Sequence, residues 1–113
     1  MKLVTKQVTR DEIEKMAERG FGDMVKAVVD IKQRIMAVDM DLHADGEAEL
    51  LKDGSRQIDL WGINLYPDLA NKEWIEFRSM INVKPASGNN SLVVENPQVQ
   101  REIEEVVNLL IKD

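Results

Sequence analysis

The stretch MVKAVVDIKQRIMAVDM, residues 24–40, constrains this chain more than any other segment: two runs rich in β-branched and apolar residues flank one polar interruption, Lys32, Gln33 and Arg34. Such runs favour strands, and the polar break between them predicts a hairpin. If Ile31 pairs near Ile35, period-two alternation puts Val25, Ala27, Val29, Ile31, Ile35 and Ala37 on one side, which is expected to be core. The break lacks an Asn-Gly or Asp-Gly pair, so the register rests on that pairing alone.

Around the hairpin the chain is punctuated by turn and cap signals. Residues 2–8 read as a strand, and Thr9 with Glu12 forms a capping box that starts a helix whose inner face is Ile13, Met16 and Ala17. Gly20 is placed to end it in the left-handed conformation. Asp45 is positioned to cap a short helix through Glu47, Ala48 and Leu51 that stops near Gly54. Residues 57–66 carry apolar side chains on both faces, as a central strand does, until Pro67 and Asp68 break them. Residues 74–84 alternate, with Ile75, Phe77, Ile81 and Val83 predicted inward and Glu76, Arg78, Asn82 and Lys84 outward. After a polar loop at residues 85–91, Asn96 as N-cap and Pro97 at the first position open a final helix with the stripe Val99, Ile103, Val106, Val107 and Leu110.

The order β-α-β-β-α-β-β-α, with no linker or repeat, predicts one α+β domain over residues 1–113: an antiparallel or mixed sheet of about five strands with helices mainly on one face. The opposite face then carries Met24, Val28, Met36, Val38, Met40 and Met80, more apolar surface than a wet sheet needs. Those six residues are the expected interface of a homodimer; ordinary flexible core filling by methionine is the competing reading.

Composition removes whole classes of chemistry. With no cysteine there is no disulfide framework, thiol nucleophile or zinc ribbon, and with His43 as the lone histidine a His-rich metal site would have to be shared between subunits. A net charge of -6 repels phosphate backbones, so no nucleic-acid partner is expected. No apolar run has the length of a membrane span or signal peptide, which predicts a soluble cytoplasmic protein. Trp61, Tyr66, Trp74 and Phe77 lack an RNP-like setting and read as core and turn anchors.

Two places hold groups able to bind or react. Asp39, Asp41, His43, Asp45, Glu47 and Glu49 are dense in donors, but their odd spacing converges only in an extended chain, and a strand-to-helix transition scatters them; no metal is expected there. His43 is the natural proton carrier, while Ser79 has no nucleophile motif around it and is expected to hydrogen-bond locally. The other place is the loop PASGNNS, where Ser87, Gly88, Asn89 and Asn90 could offer backbone N–H groups to an anion, with Arg78 or Lys84 lending charge. It has neither a Walker A nor a dinucleotide pattern, so no cofactor is expected, and a plain connection explains the same residues.

The phrases FGDMVKAVVDI, LHADGEAELLKDGS, LWGINLYP, WIEFRSMIN and NPQVQREIEEVVNLLI together resemble a small prokaryotic family of unknown function, over nearly the whole chain. That resemblance implies a small intracellular domain and carries no catalytic residue with it. The segment GNNSLVVENP departs from it, with Asn90, Leu92 and Val93 where charged or smaller residues would stand, so an anion-binding role of the loop in relatives would not transfer to this copy. Two functional readings follow: a non-catalytic binding or self-associating module, and a small enzyme or anion-ligand binder with a cleft between His43 and residues 85–91.

Overall fold

A computed structural model describes residues 1–70 and 72–113. The hairpin at its centre is β3 (Val25–Asp30) and β4 (Ile35–Val38). Its turn is built by Asp30, whose Oδ1 accepts from the Lys32 and Gln33 amides at 2.9 Å each, while Arg34 takes a positive φ of 60°. These contacts put Asp30 opposite Ile35 and Val29 opposite Met36, not Ile31 near Ile35. A shift of one residue exchanges the two faces of the second arm. Met36 and Val38 therefore join Val25, Ala27 and Val29 in the main core, and Ala37 and Ile35 go to the other side with Val28.

Strands β1 (Lys2–Val4), β5 (Leu60–Leu65) and β6 (Ile75–Glu76) complete a five-stranded antiparallel sheet in the order β1-β4-β3-β5-β6. The predicted first strand is split: after β1 the chain leaves the sheet, and β2 (Val8–Thr9) pairs in parallel with β7 (Ile111–Lys112). Helix α1 (Arg10–Arg19) begins where the capping box predicts, with Thr9 Oγ1 accepting from the Glu12 amide at 3.1 Å. Gly20 ends it by donating to the Met16 and Ala17 carbonyls at a negative φ; the positive φ falls at Gly22. Helix α3 (Pro97–Leu110) is capped by Asn96 and buries Ile103, Val106, Val107 and Leu110. Both helices pack on the face lined by Val25, Val29, Met36, Ile63 and Leu65.

Helix α2 (His43–Lys52) takes the other face. It starts two residues before Asp45, after Leu42, which offers no side-chain cap. Its Leu50 is fully buried with Val28, Ala37, Met40 and Leu60, and Gly46 lets the helix lie against Met40 and Val28. The side of the hairpin expected to need a second copy is thus roofed by the same chain. Of the six residues expected at an interface, Met36 and Val38 are in the main core, Val28 and Met40 lie under α2, Met24 is half-buried, and Met80 stands 81% exposed.

The largest departure is at residues 74–84, where only Ile75–Glu76 is strand. Beyond it Ser79 Oγ accepts from the Ile81 amide and caps a 3-10 turn, Met80–Asn82, which reverses the alternation. Asn82 becomes fully buried and Lys84 nearly so, while Val83 turns outward. Asn82 takes the place of a strand: its Oδ1 accepts from the Gly62 amide (2.8 Å), and its Nδ2 donates to the Gly62 and Leu92 carbonyls (3.0 and 3.1 Å). Asn89 then donates to the Asn82, Ser91 and Val93 carbonyls and accepts from the Glu95 amide. Two carboxamides do the work of a ladder, and residues 77–94 form a strap along β5. Gly62 permits the approach, since a Cβ there would collide with Ser79.

Candidate functional site

The second face of the sheet is apolar only where α2 covers it. At its open end a polar row runs across three strands: Lys26 of β3 lies opposite Asn64 of β5, which lies opposite Glu76 of β6. One wall of this end is the start of α2, with Leu42, His43 and Ala44; the other is the strap, with Arg78, Ser79, Met80, Ile81 and Leu92. Together they enclose an open cavity of about 530 Å³. That volume lies in the range of small-molecule sites.

The strands dictate the row. Lys26 and Asn64 are single polar residues in otherwise apolar stretches, and direct cross-strand partners have Cβ atoms roughly 5 Å apart. His43 reaches the row because α2 begins there: its Nε2 lies 2.8 Å from the Ile63 carbonyl oxygen, to which it donates. With Nε2 carrying the proton, a neutral ring leaves Nδ1 as a bare acceptor. Burial pushes the His43 pKa below its usual value, and the Lys26 ammonium pushes the same way; the Ile63 carbonyl, the Asn64 carboxamide and the Glu76 carboxylate oppose them and lose.

This has a consequence for stability with a definite sign. Well above the ordinary histidine pKa of about 6.5 the ring is neutral in both folded and unfolded chains and contributes no slope. Below it the unfolded chain takes up a proton that the native site refuses, so the native state loses stability as pH falls. Chemical denaturation of the parent and of His43→Gln between pH 7.5 and pH 5 checks this: the parent should lose stability faster, by at most one proton's slope. Parallel curves would remove the assignment of a neutral His43.

The remaining polar atoms divide into donors and acceptors. Lys26 is half-buried and Arg78 exposed, and neither pairs with a carboxylate among the described residues. Ser79 Oγ accepts from Ile81, which leaves its O–H as a donor, as the local role expected of it allows. Asn64, only 7% exposed, donates through Nδ2 to Glu76 Oε1 (2.8 Å) and the Arg78 carbonyl (3.2 Å), whereas its shielded Oδ1 accepts no hydrogen bond among the described residues. No hydrogen bond joins Ser79 to His43, so the pair is not arranged as nucleophile and base.

His43 and Arg78 are thus brought together, and the loop at residues 85–91 is not part of their cavity. Ser87, Gly88 and Asn89 line a separate hollow of about 220 Å³ with Trp61 and Glu95. The Asn90 amide there donates to the Glu95 carboxylate at 2.9 Å, and the Ser87 and Gly88 amides are bonded to the Lys84 and Pro85 carbonyls. The loop has filled its own donors, and Asn89 serves the strap. Lys84 is engaged elsewhere: its Nζ donates to the Ile81 carbonyl (3.0 Å) over the Trp61 ring, and burial lowers its pKa from the usual lysine value. A third cavity, of about 450 Å³ near the C-terminus, has its Arg10 engaged with the Pro67 and Leu69 carbonyls and stacked on Trp74, which is a structural clamp.

The acidic run beginning at Asp39 is scattered as the strand-to-helix transition requires. Among the described residues no three His, Asp or Glu side chains are grouped to hold a metal ion, and no helix is long and apolar enough to cross a membrane. Lys26, Asn64 and Leu42 were not candidates on sequence. A lone lysine in VKAVVD and a lone asparagine in LWGINL are the local signals that mark them, and only the strand pairing shows them to be neighbours.

Comparison with known proteins places the chain in the family described as protein of unknown function (DUF5674), which matches residues 2–110; the chain belongs to it, in accord with the resemblance of its phrases. No curated protein and no solved structure matches.

Proposed function

We propose that this DUF5674 domain is a binding module for a small acid with an apolar body, held at the open end of the sheet between α2 and the strap. One observation carries the reading: two cations without carboxylate partners among the described residues, Lys26, whose Nζ also lies over the Phe21 ring, and Arg78, line one cavity walled mainly by Leu42, Ala44, Met80, Ile81 and Leu92. Apolar walls with a few converging charges are what an amphipathic anion requires. The reading is one of binding, because the buried imidazole and the serine make no hydrogen bond that would activate a nucleophile. A cytoplasmic small-acid binder also suits a chain with no cysteine and net charge -6, since the local cations then select the anion against a repelling background.

Hexanoate and hexanol, matched in chain length, test it by calorimetric titration at low salt. Hexanoate is expected to bind and hexanol to bind at least ~10-fold more weakly, with Arg78→Gln removing most of the difference, because a charge-assisted contact is worth about 1.5–3 kcal/mol. Arg78 is exposed, so the variant should melt near the parent temperature. Equal binding of acid and alcohol, or no loss in Arg78→Gln, would overturn the proposal.

A further inference from the structure

Resting on that reading of the site, we infer that the acid does not bind alone: its anion enters with a proton, which His43 takes up from solvent at Nδ1 and shares with Asn64 Oδ1 inside the wall of the cavity. The geometry that carries this is a pair of acceptors held face to face. His43 Nε2 lies 2.8 Å from the Ile63 carbonyl oxygen, which can only accept, so that nitrogen keeps its hydrogen in either state of the ring. Asn64 Nδ2 is committed to Glu76 Oε1 (2.8 Å) and the Arg78 carbonyl (3.2 Å), both acceptors, so the carboxamide cannot turn round, and Oδ1 stands closed to solvent against the His43 ring. In the neutral ring Nδ1 is a bare acceptor facing that oxygen. Only the imidazolium, with a hydrogen on each nitrogen, satisfies both partners.

Burial and charge keep the proton off the empty site. The charged groups around the ring are Lys26 from β3, Glu76 from β6 and Arg78 from the strap, while Glu47, one turn further along α2, acts on the Lys84 ammonium. Two cations outnumber one carboxylate, and Glu76 already accepts from Asn64 and from the Tyr66 hydroxyl. An anion held by Lys26 and Arg78 reverses that balance, because an opposite charge within about 4–6 Å moves a titration by roughly one to three pH units toward the charged form. By linkage the proton in turn strengthens the hold on the anion. Affinity therefore rises as pH falls, and the bound protein loses the acid sensitivity expected of the empty one.

Calorimetric titration of hexanoate into the unmodified protein, in two buffers of different ionisation enthalpy, counts the protons taken up. Hexanoate itself is ionised at both pH 6 and pH 8. At pH 6 the binding enthalpies in the two buffers should differ by the uptake of a fraction of one proton per hexanoate, and the affinity should be roughly 3- to 10-fold higher than at pH 8. In His43→Gln both differences should vanish. If that variant folds poorly, the parent still decides, because His43 is the one histidine of the chain and its ring nitrogens give the only imidazole signals. Saturating hexanoate should raise the His43 titration midpoint by about one pH unit or more, with the new hydrogen on Nδ1 and the Asn64 side-chain amide resonances moving at the same midpoint. Hexanoate bound with no proton taken up and the His43 midpoint unmoved would overturn the coupling and leave acid binding standing. Failure of hexanoate to bind at either pH would overturn both.

Discussion

Asn82→Ala is expected to destabilise the protein by about 3 kcal/mol and to lower its melting temperature by roughly 12 °C, although it removes a residue that sequence alternation places on the surface. The buried carboxamide satisfies both backbone groups of Gly62 and the Leu92 carbonyl. Alanine leaves the Gly62 amide, in the middle of a fully buried strand, without an acceptor. Orphaning a buried group costs about 1–3 kcal/mol, and Asn89 loses the order of its own partner, the Asn82 carbonyl. Urea denaturation measures the loss directly. Because the strap carries Arg78 and Ser79, hexanoate affinity should fall with it. The double variant with Asn89→Ala should lose less than the two single losses added, since one network supports both residues. A loss below ~0.5 kcal/mol, the usual size for a surface substitution, would show that Asn82 does not replace the ladder.

Leu50→Ala should have an effect of similar size, about 3 kcal/mol, for an apolar reason. Leu50 is the fully buried α2 residue that fills the cluster of Val28, Ala37, Met40 and Leu60, and a cavity there removes the main apolar anchor of that helix. The expected readouts are a lower urea midpoint, faster amide exchange along α2, and increased binding of a hydrophobic dye as the second sheet face opens. His43 sits at the start of the same helix, so its contact with the Ile63 carbonyl should loosen and the pH dependence described above should weaken. Leu51, exposed one position later, is the control: Leu51→Ala should change stability by less than ~0.5 kcal/mol.

The contrast between these two residues shows where sequence reading succeeds. Period and caps are local signals, and the Thr9 and Asn96 caps and the buried stripe from Ile103 to Leu110 stand where those signals place them. Residues 74–84 have the clean alternation of a strand and are mostly not one, because Ser79 and Asn82 offer the backbone side-chain partners that outcompete a ladder. The hairpin is legible and its register is not. Asp30, which sets the turn and accepts within it from Gln33 Nε2, also ties it to the segment after α2 by accepting from Ser55 Oγ, 25 positions away.

The candidate site was half legible. His43 and Arg78 were singled out for their chemistry, and they share a cavity; Lys84 and the loop Ser87, Gly88, Asn89 and Asn90 were singled out on the same grounds and are spent on the strap or on their own turn. Chemistry can be read from a residue type, but its availability cannot, because that depends on which partners the fold delivers.

By itself the amino-acid sequence determined the α+β class, the capped helices α1 and α3 and the absence of thiol chemistry, since each follows from composition or from spacings of a few residues, and the resemblance of its phrases pointed to the family. Tertiary structure alone decided the hairpin register, the roofing of the second face by α2, and the meeting of Lys26, His43, Asn64 and Arg78. The physical reason is the range of the interactions. A cap or a stripe is completed within a turn or two of chain, whereas a register and a site are settled by pairs of groups far apart in sequence, and moving one strand by a single residue exchanges its faces.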